Sequence, residues 1–247
     1  MHKQLICFLT GILIFTGSFQ ALAAENQFKK NNPDGNKYEF ARSYISALSY
    51  FREIENRWSK KSPKKKFPKE DLKIIRGNIE YYVLDNSSLR IVKGYMGKYL
   101  SSPNPLMRKV ADMVLVACEK EIVLNDKAKN LWQNWLEYKT KAKPKPSEEK
   151  EFVASQRQLE LQRKEADKSI IKASVLLTKV LLSQDNSNDK GRFLAITSTQ
   201  RDKLVADLDV YGKDVTDWGL KPGQSTLDAS IAVIREVLED SVFIAHK

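Results

Sequence analysis

Histidine, the usual proton carrier of active sites at neutral pH, is almost missing from this sequence. Only His2 and His246 occur, one near each end of the chain. Chain ends are usually frayed, so neither imidazole is expected inside a folded site. A Ser-His-Asp or Cys-His mechanism therefore lacks its base, and a zinc site lacks its usual ligands. The sequence predicts no catalytic residue and no metal ligand, and it implies no cofactor.

Carboxylates leave one enzymatic route open. A hydrolase that works with carboxyl groups alone needs only two acids at a suitable separation. The chain has 31 aspartates and glutamates, and their spacing distinguishes no pair among them. A glycine-rich phosphate cradle does not occur in the sequence either, so a nucleotide-driven activity has no support. The sequence leans against an enzyme and leaves a carboxylate-dependent hydrolase as an alternative.

Lysine shows the clearest clustering of any charged residue. Seven lysines lie within 14 positions, interleaved with prolines that oppose helix continuation. They are Lys60, Lys61, Lys64, Lys65, Lys66, Lys69 and Lys73. A cationic loop attracts polyanions through counterion release. These seven lysines are therefore predicted to bind anions, and the alternative is an ordinary solvated surface rich in lysine.

The basic residues are unevenly distributed along the whole chain. Residues 24–146 contain 26 basic and 14 acidic residues, whereas residues 147–247 contain 15 and 17. This asymmetry predicts that the N-terminal half contacts an anionic envelope surface or an acidic protein partner. Nucleic acid is disfavoured as a natural partner, because the start of the chain predicts export.

The first 23 residues have the pattern of a cleavable signal peptide. A basic start precedes an apolar run over 5–15, which is well short of the roughly 20 residues that cross a bilayer. Ala21 and Ala23 place small residues at the expected cleavage positions, so the mature chain is predicted to begin at Ala24. After removal of the signal no segment has transmembrane length, and the protein is expected in the periplasm or outside the cell.

Apolar residues in the mature chain recur at steps of three and four, which predicts helices throughout. We expect an all-α, multi-helix bundle of about six to eight helices. One helix of about 35 residues should begin near Ser147, because Phe152, Leu159, Ala166 and Ala173 repeat every seven residues.

Other local patterns predict where helices begin and end. Asn104 before Pro105 is a typical cap and first residue, and 197–200 has the form of a capping box. The polar run at 86–88 suggests a further helix start, and Gly94 suggests either fraying or a close backbone contact.

The basic, proline-bearing segment 139–146 is the best candidate boundary in the chain. It divides a basic helical region, 24–146, from a region 147–247 that carries the long helix and a C-terminal helix pair. The two regions could equally form one domain.

A non-catalytic, exported helical protein whose basic half binds an anionic surface or an acidic partner is the leading functional hypothesis. The alternatives are the carboxylate-dependent hydrolase, acting on an envelope polymer, and a secreted factor that acts on another cell.

Overall fold

The protein is all-α, as the periodicity predicts, in a computed structural model that describes residues 36–59, 72–141, 146–182, 193–194, 196–217, 226–240 and 242–243. Six helices lie in these ranges: α1 Lys37–Ser59, α2 Leu72–Gly97, α3 Pro105–Lys141, α4 Pro146–Leu182, α5 Ser198–Asp217 and α6 Thr226–Asp240. Two strands of two residues, β1 Phe193–Leu194 and β2 Val242–Phe243, pair in parallel. The multi-helix bundle is confirmed, and the small strand pair is an addition that the sequence did not indicate.

Two predicted helix starts are confirmed by their capping hydrogen bonds. The side-chain oxygen of Asn104 accepts hydrogen bonds from the backbone N–H groups of Leu106 and Met107, at 2.9 and 3.2 Å. Thr197 and Gln200 bond reciprocally, backbone to side chain, at 2.9 and 3.3 Å. Each arrangement satisfies N–H groups that the first turn of a helix leaves without a partner.

The predicted break at 86–88 is wrong, because α2 runs through it without interruption. Within this run, the Asn86 side chain bonds to the neighbouring helix, and the Ser87 hydroxyl donates to the carbonyl oxygen of Val83, one turn back on the same helix, at 3.1 Å. Asn125 donates a hydrogen bond to Asn86 at 2.9 Å, and Asn86 donates one to Asp126 at 3.1 Å. Helix α3 likewise runs without interruption through Asn125 and Asp126.

The predicted long helix is confirmed as α4, whose 37 residues span about 55 Å. It packs along α3 and α6, and it also contacts α1. Tyr44 of α1 stabilises the contact with α1 through hydrogen bonds. Its buried hydroxyl lies 3.0 Å from the carbonyl oxygen of Ile170 and 2.7 Å from the hydroxyl of Ser174.

The buried apolar residues form two clusters. The larger one takes residues from all six helices, and the smaller one joins α2, α3 and α4 around Trp132, Trp135 and Phe152. Residues before and after Pro146 take part in both clusters. The division of the chain at Pro146 stays a prediction that rests on charge and composition.

Among the described helices, none has the length and apolarity required to cross a bilayer.

Candidate functional site

Most of the predicted anion-binding lysines lie outside the described residues. These are Lys60, Lys61, Lys64, Lys65, Lys66 and Lys69. The predicted signal peptide, residues 1–23, also lies outside them. Lys73 is described, and its side chain is exposed in the first turn of α2.

The helix that begins at this lysine-rich segment carries an unusual exposed surface, which we call the α2 face. It combines the basic residues Lys73, Arg76 and Arg90 with the apolar residues Val83, Leu84, Ile91 and Tyr95. Leu84 and Ile91 are one heptad apart and remain 50 % and 45 % exposed. The opposite side of α2 packs against α1 and α3. Glu80 is also exposed on this helix, whereas its second acid, Asp85, is fully buried.

A partly open pocket of about 250 Å³ lies between the helices. Its walls come from α1, α2, α3, α4 and α6. Apolar side chains form much of the lining, namely Phe51, Ile54, Leu89, Ile170 and Leu227. Glu55, Glu121 and Asp167 add three carboxyl groups, and Arg163 adds one guanidinium. The pocket is therefore an apolar cavity with a surplus of acidic groups.

Arg163 belongs to a hydrogen-bonded network that connects three helices. Its guanidinium donates a hydrogen bond to Asn125 at 2.7 Å and lies 5.3 Å from the centre of the Tyr82 ring. Asn125 in turn bonds to Asn86. The network satisfies polar groups that would be costly to bury alone, and it holds the arginine against one wall of the pocket.

Glu121 is a pocket acid with a strongly raised pKa. Burial raises the pKa of its carboxyl from 4.5 to about 7. The nearby Arg163 opposes this rise, while Asp167 and Asp85 add to it. Its Oε1 atom is buried and accepts no hydrogen bond from any residue that the structure describes. A carboxyl that titrates near neutral pH can exchange a proton or respond to a charged ligand.

Two arginines of α1 form ion pairs with acids next to the pocket. Arg52, only 2 % exposed, donates hydrogen bonds to Asp228 at 2.5 Å and to Glu55 at 3.3 Å. Arg57 pairs with the fully buried Asp85. These pairs link α1 to α6 and α1 to α2, so the acids they hold contribute to the packing of the bundle.

Sequence reasoning did not find the pocket acids, although a signal for them exists. Glu121 lies four residues after Ala117 and seven after Val114, at a position where the core-facing stripe of α3 predicts an apolar residue. Arg163 similarly occupies an interior position of the α4 heptads. A charged residue among the core-facing apolar positions of a helix is a candidate site residue. The sequence alone does not indicate which of these residues lie close together in the folded protein.

Within the described residues, no three carboxyl, imidazole or thiol groups lie close enough together to hold one metal ion.

No family model, curated protein or solved structure matches this chain. Together, the fold and the site define a helical bundle with a partly open pocket that contains three acids and with a basic, partly apolar outer face.

Proposed function

We propose that this is an exported, non-catalytic binding protein whose basic N-terminal half docks on an anionic envelope surface. The observation that carries the proposal is the α2 face, where exposed cations and half-exposed apolar side chains share one side of a helix. In the sequence, the lysine-rich segment 60–69 directly precedes that helix.

Both components of the α2 face favour an anionic lipid surface. Each lysine or arginine near such a surface contributes about 1 kcal/mol of attraction at low salt. Leu84 and Ile91 can place apolar area at the boundary of the acyl chains, as surface-bound amphipathic helices do. The first contribution is screened by salt and the second is not, so the two can be measured separately.

Vesicle binding by the mature protein tests this proposal. We expect binding to vesicles that contain phosphatidylglycerol, little binding to pure phosphatidylcholine, and a steep loss of affinity from about 50 to about 200 mM salt. Replacing Lys60, Lys61, Lys64, Lys65 and Lys66 with glutamine should weaken binding and reduce its dependence on salt.

The apolar component has its own pair of variants. Leu84→Ser combined with Ile91→Ser should weaken the binding that remains at high salt. Leu161→Ser, which replaces a 57 % exposed leucine on α4, is the matched control and should bind as the wild type does. Absence of salt-sensitive binding to any anionic surface would remove the basis of the proposal.

The second candidate function is a carboxylate-dependent hydrolase. It is favoured by the three carboxyl groups of the pocket, one of which has a pKa of about 7, suitable for a general acid. Hydrolysis of a labelled envelope polymer by the wild type, abolished in Glu121→Gln, would replace the binding proposal with this one.

A further inference from the structure

We propose that the pocket between the helices binds a small organic ammonium ion with an apolar tail, and that the carboxyl groups of Glu55, Glu121 and Asp167 attract its charge. This site is separate from the α2 face, and the proposal does not depend on docking to an envelope surface.

The size and the walls of the pocket define the apolar part of the ligand. A volume of about 250 Å³ is just below the range of roughly 300–1,000 Å³ that is usual for drug-sized ligands. Phe51, Ile170 and Leu227 come from three different helices and line it with apolar surface. A short alkyl chain or a single ring fits such a space better than a sugar or a nucleotide, which would leave polar groups without partners.

The charge of the lining selects a cation. Three carboxyl groups face the pocket together with one guanidinium. That guanidinium, on Arg163, already donates to Asn125 and lies against the Tyr82 ring. Arg52 partly neutralises Glu55, at 3.3 Å, but its shorter contact is with Asp228. Among the residues that line the pocket, carboxyl groups thus outnumber guanidinium groups by three to one.

Glu121 supplies an acceptor that a ligand could use. Its Oε1 atom is buried and accepts no hydrogen bond from the described part of the chain. Leaving a buried carboxylate oxygen without a hydrogen bond is energetically unfavourable. An ammonium N–H group would satisfy this oxygen and would also stabilise the negative charge on the carboxyl.

The spread of the acids favours an organic cation over a metal ion. They belong to α1, α3 and α4, and among described residues no three such groups converge on one point. A metal ion needs its ligands at one centre. An ammonium group needs only a few acceptors and a negative surrounding potential, and its tail can occupy the apolar remainder of the pocket.

Proton release should accompany binding. The charged groups that influence Glu121 are Arg163 and Asp167 on α4 and Asp85 on α2, with Glu55 of α1 across the pocket. With a pKa of about 7, roughly a tenth of this carboxyl is ionised at pH 6 and roughly nine-tenths at pH 8. A ligand that selects the ionised form should therefore bind about tenfold more tightly at pH 8 than at pH 6. An alkylammonium itself stays protonated over this range.

Titration calorimetry of the mature protein with n-hexylamine tests the proposal, with n-hexanol as the neutral ligand of matched size. We expect saturable binding of the amine with a dissociation constant near the millimolar range, about tenfold tighter at pH 8 than at pH 6. Buffers with different ionisation enthalpies should report release of about half a proton per bound amine at pH 7, where half of the Glu121 carboxyl groups are still protonated. Hexanol should bind at least about tenfold more weakly at pH 8.

Glu121→Gln has nearly the same shape as the wild type and should weaken amine binding about tenfold at pH 8 while abolishing the pH dependence. Glu119→Gln removes an exposed carboxyl from the same helix, and it should change neither the affinity for the amine nor its dependence on pH. Circular dichroism verifies that both variants are folded. Equal affinity for amine and alcohol in the wild type, no saturable binding at about 30 mM amine, or an unchanged pH dependence in Glu121→Gln would each overturn the proposal.

Discussion

At the scale of single residues, burial explains the behaviour of the reactive groups. Cys118 is fully buried, and burial raises the pKa of its thiol to about 12. It is therefore a small apolar core residue, as its apolar sequence neighbours predict. Glu121 differs because its burial is accompanied by a pocket and by an oxygen without a hydrogen bond from the described residues.

Glu121 should make stability depend on pH. Its carboxyl has a pKa of about 7 when folded and an ordinary value of 4.5. Since the folded state then holds the proton more tightly, the free energy of unfolding should fall as pH rises from about 4.5 to about 7. Glu121→Gln avoids this cost, so it should be stabilised relative to the wild type by about 1–3 kcal/mol more at pH 8 than at pH 5.

Denaturant unfolding of both proteins at the two pH values measures this difference. Glu119→Gln is the control, because its exposed carboxyl should contribute little at either pH. An equal effect of Glu121→Gln at pH 5 and pH 8 would contradict a raised pKa in the folded protein.

At the scale of helices, contacts between elements override local signals. The polar run at 86–88 would favour a helix start by itself, yet Asn86 is buried and bonds to α3. Gly94 suggested fraying or a close backbone contact, and the structure has neither at this position. The helix continues to Gly97, and a Cβ atom built on Gly94 would have no neighbour within 4 Å.

Gly94→Ala should therefore stabilise the protein. Glycine in the interior of an exposed helix costs about 1 kcal/mol relative to alanine, and the added methyl group meets open space here. We expect an increase of about 0.5–1 kcal/mol in the free energy of unfolding. Gly94→Val tests the cause, because a β-branched residue has lower helix propensity and should recover less of this gain. A loss of stability in Gly94→Ala would indicate a contact that the structure does not contain.

At the scale of the whole molecule, the uneven charge of the sequence motivates the proposed docking of the basic half. The basic half should be presented to an anionic surface only if the chain is exported, so export is part of the proposal. The larger core joins all six helices, and the pocket is lined by residues from both sides of Pro146.

The export proposal predicts a mature protein that begins at Ala24. Mass spectrometry of the protein recovered outside the cytosol should find the mass of residues 24–247. Replacing Ala21 and Ala23 with bulky residues should block cleavage, because small side chains are required at those positions. Recovery of the wild-type chain with its first 23 residues attached would contradict the predicted cleavage.

The sequence by itself determined the properties that depend on neighbours along the chain. Apolar periodicity specified an all-α fold and the long helix α4, because burial of one helix face repeats every three to four residues. Asn104 and Thr197 specified helix starts, because capping bonds form within one turn. The tertiary structure alone decided which distant residues meet. Three helices bring the carboxyl groups of Glu55, Glu121 and Asp167 to one pocket. The spacing of these residues along the sequence does not indicate that their helices pack together at this point.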